Sequence, residues 1–137
     1  GGSNPMTAPT ELVTGVDFVS LPTRNIEAAM DFYGSVLGLA RSSVWQRPGM
    51  DPVGAEFETG TVTVALIASE RLGITFQPNK VPIALHVEDV EAARAELESR
   101  GVSFPADTID SGVCHMAHFE DPDGNVLMLH NRYAPHS

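Results

Sequence analysis

Two stretches of this chain repeat one pattern. "VSLPTRNIEAAMDFY" begins at Val19 and "IALHVEDVEAARAEL" at Ile83, and within them Asn25-Ile-Glu-Ala-Ala matches Asp89-Val-Glu-Ala-Ala at an offset of 64 residues. A chain built this way must fold as two like units, each with one sheet face covered by its helix and another face that must bury against something or line a cavity. In each copy a short alternating strand runs into Asn25 or Asp89, whose side chain can accept from the free backbone N–H groups that open a helix. The first helix carries Ile26, Ala29, Met30, Tyr33 and Leu37 as one apolar stripe, with Gly38 where a left-handed C-terminal residue is wanted. The second carries Val90, Ala93 and Leu97 before Gly101. Three β-prone runs follow each helix: 40–47, 54–58 and 61–68, then 102–105, 113–119 and 126–132. Each half reads β-α-β-β-β, so the fold class is α+β.

One domain is expected over residues 14–133, with module one at 14–69, a linker at 70–81 and module two at 82–133. Residues 1–13 read as a tag remnant, "GGSNP", followed by a flexible lead, and 134–137 as a tail. No apolar run reaches the 18 or so residues that a membrane helix needs, no signal peptide is evident, and Cys114 is the sole cysteine, so a cytoplasmic protein without disulfides is expected. A formal charge of −10 repels a phosphate backbone and argues against a nucleic-acid partner, while mildly favouring cationic ligands.

The paired βαβββ pattern, "DFYGSVLGL" after the first strand and "FEDPDGN" before the last together resemble the vicinal oxygen chelate superfamily, which contains glyoxalase I, extradiol dioxygenases and bleomycin resistance proteins. The resemblance implies two modules forming a curved, mixed sheet around a cavity, usually within a homodimer. "DPDG" does not open a calcium loop, because the twelfth position from Asp121 is Arg132 where a bidentate carboxylate is needed.

In metal-dependent members of that superfamily, the first and last strand of each module supply ligands. The resemblance carries these positions onto Phe18, Ala65, Pro82 and Met128. Phe, Ala and Pro side chains have no donor atom, and a thioether is a soft ligand suited to copper(I), not to zinc, magnesium, manganese or nickel. The expectation is therefore no metal and no cofactor, with apolar surface at the cavity floor.

Alternation supplies the remaining lining: Ser20 with Phe18, Ala84 and His86 with Pro82, and Val126 and His130 with Met128. A hairpin closed by "DPDGN" sets Phe119 opposite Leu127 and His118 opposite Met128, so Cys114, Met116 and His118 share the inward face. His130 is expected one step above His118 and His86 a further step beyond, so that two of the three histidines could reach one ion but three would not converge. His115 is expected on the opposite face and His136 in the tail. Trp45 could serve as a flat wall for a planar ligand, Glu56 could add an inward carboxylate, and Cys114 reads as buried and inert for want of a base within reach.

The function these residues favour is a small-molecule binding protein resembling the bleomycin-resistance branch. It would be a homodimer whose metal-free pocket of Phe18, Ser20, Trp45, Ala65, Pro82, Ala84, His86, Met116, His118, Met128 and His130 sequesters an antibiotic or toxic metabolite, planar or cationic. The alternative is a metal-independent lyase or isomerase with His118 or His130 as general base. A glyoxalase- or dioxygenase-type metalloenzyme ranks below both.

Overall fold

The computed structural model describes residues 11–135. Its elements run β1 (Phe18–Pro22), α1 (Ile26–Asp31), a π-helical turn (Phe32–Val36), β2 (Ala40–Trp45), β3 (Gly54–Glu58), β4 (Thr63–Ile67), a 3-10 turn (Ser69–Leu72), β5 (Ile83–His86), α2 (Val90–Ser99), β6 (Ile109–Asp110), β7 (Cys114–Glu120) and β8 (Val126–Arg132). They form two four-stranded sheets in the orders β1-β4-β3-β2 and β5-β8-β7-β6. In each, the outer first strand pairs parallel with the last strand and the other pairings are antiparallel. The repeat therefore survives as topology.

Local chemistry explains the helix starts. Asn25 Oδ1 accepts from Ala28 N at 3.1 Å and Asp89 Oδ1 from Ala92 N at 3.0 Å, each satisfying an otherwise orphaned donor. Gly38 takes φ 78°, which ends the first helical segment as its position predicts. One run departs from expectation. Residues 102–105 make no strand, and the second module's outer strand is the two-residue β6. Pro105 offers no N–H for a ladder, and Phe104 instead packs against the core with the Arg94 guanidinium 4.9 Å above its ring.

The helix-covered sheet faces share one core. Leu21, Ile26, Tyr33, Phe57 and Leu66 from the first module join Val90, Phe119, Leu127 and Leu129 from the second in a single buried cluster. The opposite sheet faces carry the other parity of each strand, and it is there that the candidate residues lie. No helix among the described residues is long and apolar enough to cross a membrane.

Candidate functional site

On the first sheet, Ser20, Ala65, Glu56 and Ser43 follow one another across β1, β4, β3 and β2 in register, while Trp45 lies opposite Gly54. This fixes the phase of Glu56: its carboxylate shares the open face with Ala65. Phe18, at 44% exposure, meets Trp45 edge to face with ring centroids 5.9 Å apart. Trp45 lies so close over Gly54 that a Cβ there would sit 2.5 Å from the indole, so only glycine admits the ring in this place. The resulting floor is aromatic and small-residue surface with carboxylates at Glu56 and at Glu58, which accepts from Ser42 and Thr63.

On the second sheet the register is Ala84, Met128, His118 in one row and His86, His130, Met116 in the next. His118 opposite Met128 and Phe119 opposite Leu127 follow the hairpin expectation. His86 departs from it, standing level with His130 instead of a step beyond, because the parallel β5–β8 ladder begins with Ile83 beside Leu127. Met116, His118, Met128 and His130 are half-buried, whereas Ala84 and His86 are exposed. His86 Nε2 lies 2.8 Å from Glu88 Oε2. His115 faces the other way, as alternation requires, and its ring stacks on Tyr133 at 4.7 Å. Cys114 is buried. His136 and the lead up to residue 10 lie outside the described residues.

Of the four positions tied to metal by resemblance, Phe18 is exposed and Pro82 and Met128 are half-buried, whereas Ala65 shares the parity of Ser20 but is fully buried. Ala65 is beside Ser20, one step along from Phe18, and Met128 is beside Ala84, one step along from Pro82. The two modules repeat the same diagonal. Neither diagonal holds an oxygen or nitrogen donor, and among the described residues no three His, Cys, Asp or Glu side chains gather where they could hold an ion.

Ten of the eleven candidate residues are at least partly exposed, and Ala65 is buried. A half-open cleft of about 750 Å³ lies elsewhere, between the modules, walled by Val19, Leu39 and Val64 from the first and Leu85, Leu97 and Leu129 from the second. Only Ala84 and His86 of the candidates reach its rim. Sequence reasoning missed this cleft because its walls have the parity of core residues, and nothing in a strand's alternation shows where two cores fail to close.

The "DPDGN" turn also holds a buried network. Asp121 Oδ1 accepts from the backbone N–H of Asp123 at 2.9 Å and Asn125 at 3.0 Å, and Oδ2 accepts from Tyr33 Oη at 2.7 Å and Asn125 Nδ2 at 2.9 Å. Asn125 donates further to the Pro22 carbonyl at 2.9 Å and accepts from Asn79 N at 2.8 Å. Burial, reinforced by the Asp121 charge, holds the Tyr33 phenol far above its ordinary pKa. Gly124, at φ 86°, turns the chain beneath Lys80, whose ammonium donates to its carbonyl at 2.7 Å. The turn is thus a latch joining the modules.

The fold is shared widely among solved structures. TnmS3, an antibiotic binding protein from Streptomyces sp. CB03234, superposes with a TM-score of 0.74 at 22% identity over 89% of this chain and 98% of its own. A glyoxalase/bleomycin resistance protein from the same Streptomyces strain gives 0.65 at 26% identity, over 86% of this chain and 100% of its own. A lactoylglutathione lyase from Agrobacterium tumefaciens gives 0.68 at 17% identity, over 86% and 93%. No curated protein sequence matches the chain. Residues 15–129 match the family profile, and with the repeat, register and latch described above the chain belongs to the Glyoxalase/Bleomycin resistance protein/Dioxygenase superfamily.

Proposed function

We propose that this chain is a small-molecule binding protein, which sequesters an organic ligand on its open sheet faces without a divalent catalytic metal. The observation that carries this reading is that Phe18, Ala65, Pro82 and Met128 occupy repeat-related places and offer no hard donor, with Phe18, Pro82 and Met128 leaving apolar surface accessible and Ala65 buried beneath its neighbours. Exchanging donors for apolar surface removes Lewis-acid chemistry and adds binding energy, about 2.5 kcal/mol for each 100 Å² of apolar ligand surface buried, before association costs. The half-buried imidazoles of His118 and His130 can each donate and accept, which suits them to fixing a ligand's orientation. An antibiotic binding protein and a lyase both share the fold, so the fold alone is compatible with either role.

The reading includes a homodimer. Phe18, Met50, Leu72, Ile74, Val81 and Ile109 leave substantial apolar surface exposed, and a second copy over the open faces would enclose the ligand. The inter-module cleft supports a second seat, because its largely apolar walls form a concave space within one chain.

The test is a thermal-shift screen of planar and cationic natural products, followed by titration with the sole tryptophan, Trp45, as reporter. A hit should quench Trp45 fluorescence, lose affinity in Met128→Glu and keep it in Ala93→Phe, a change that crowds the cleft wall. The reverse pattern assigns the ligand to the cleft. Turnover of the bound compound that falls in His118→Ala would replace the binding reading with the enzymatic one.

A further inference from the structure

We propose that the open face of the second sheet is a binding site for copper(I), held by Met116, His118, Met128 and His130. The register carries the inference. His118 stands opposite Met128, and Met116 opposite His130, in consecutive same-face rows of the β7–β8 ladder. Ala117 and Leu129 between them, and Phe119 and Leu127 flanking them, are buried on the other face, so all four donors leave the sheet on one side. Adjacent strands bring opposite residues to about 5 Å, and successive same-face residues along a strand are roughly 7 Å apart. The four side chains therefore rise from the corners of a small rectangle, imidazoles on one diagonal and thioethers on the other. An ion above its centre meets two nitrogens and two sulfurs.

The chemistry of this set selects the ion. Thioethers are soft donors that favour copper(I) over zinc, magnesium or manganese. The four groups are neutral when the imidazoles are unprotonated, so they neutralise none of the charge of a divalent ion, and a monovalent one carries less uncompensated charge. The flanking rows hold one charge of each sign, Arg132 opposite Cys114 and Glu120 opposite Val126, so they leave the choice of ion to the four donors. The set is also particular to this module. The corresponding places on the first sheet, where Glu56 stands opposite Ala65 and Gly54 opposite Ile67, hold no such donors. The pattern is thus more than a by-product of the duplication. It departs from the metal-free face that the sequence suggested, since the positions that lack hard donors border a soft set which a search for hard ligands passes over.

The inference goes beyond the organic-ligand reading and does not depend on it, because melting shifts with organic compounds in copper-free buffer test that reading separately. The experiment uses the tag-free full chain under anaerobic, reducing conditions, with copper(I) supplied from a chromophoric copper(I) chelator and silver(I) as a redox-inert probe. One copper per chain should be withdrawn from the chelator. With methyl-labelled methionine, silver should move the resonances of Met116 and Met128 and leave those of Met6, Met30 and Met50 in place.

Met116→Leu/Met128→Leu, which keeps apolar bulk and whose fold is checked by its melting transition, should weaken copper by more than about tenfold, the scale on which even outer-shell changes weaken a metal site. If that pair fails to fold, His118→Gln/His130→Gln should show the same loss. Cys114→Ser and His136→Ala should retain full affinity. Failure to compete with the chelator, retention of copper by the folded double variants, or loss of copper in Cys114→Ser or His136→Ala would overturn the proposal.

Discussion

Asp121 and Met128 stand seven residues apart in the same turn-and-strand segment, and the molecule treats them in opposite ways. Asp121 is 5% exposed, and both its oxygens accept two hydrogen bonds, from a turn, a side-chain amide and a helix of the other module. Met128 is half-buried on an open face, beside two other half-buried side chains, His118 and His130. Buried polar groups that satisfy one another fix a structure, whereas side chains left on an accessible face are free to meet a ligand. The difference teaches that this motif divides its work: residues 121–125 join the modules, and residues 126–130 furnish a surface.

The largest test of that division is Asp121→Ala. It strands the Tyr33 hydroxyl, the Asn125 amide and two backbone N–H groups inside the protein, and should cost roughly 3–5 kcal/mol in urea unfolding. Met128→Ala should cost far less, about 1 kcal/mol, because the site is half open. Equal losses would dissolve the distinction between latch and surface.

Tyr33→Phe comes next, at about 1–3 kcal/mol, since Asp121 keeps its other three donors. The same tyrosine sets a pH signature. Its folded pKa is raised, so the folded chain retains a proton that the unfolded chain releases near pH 10. Stability is therefore fully present below pH 10 and should fall above it, by up to about 1.4 kcal/mol per pH unit from this group. Urea unfolding of Tyr33→Phe between pH 9.5 and 11 should show a flatter decline than the parent, and parallel declines would count against the assignment.

Met128→Glu addresses the surface side. It should shift stability by no more than about 1 kcal/mol, yet weaken an apolar ligand identified by thermal shift roughly tenfold, because a carboxylate at the pocket floor must be desolvated. A large loss of stability with unchanged binding would place Met128 with the core. Phe18→Ala is the mildest change. Losing its edge-to-face contact with Trp45 should cost about 0.5–1.5 kcal/mol and move the tryptophan emission towards longer wavelength. Unchanged emission would mean that the aromatic pair is not kept in solution.

Much of this is legible in the chain itself. Asn25 and Asp89 marked the helix starts because the capping chemistry is local, and Phe119 and Leu127 could be paired because a short turn fixes hairpin register. The strand at 102–105 was misread since Val102 and Phe104 have β-prone side chains, and only the packing of Phe104 under Arg94 shows where that segment is needed. The level of His86 was misplaced because a parallel neighbour reached through a long connection leaves its register unmarked in sequence.

The sequence by itself determined the duplicated βαβββ frame, the apolar stripes and the absence of hard ligands at four positions, all of which follow from residue identity and period. Only the tertiary structure decided that "DPDGN" latches one module to the other, that His86 stands beside His130, and that a cleft lies between the modules. Those facts depend on contacts between segments far apart in the chain, such as Tyr33 with Asp121 or Asn125 with Pro22, and no local propensity encodes where such segments meet.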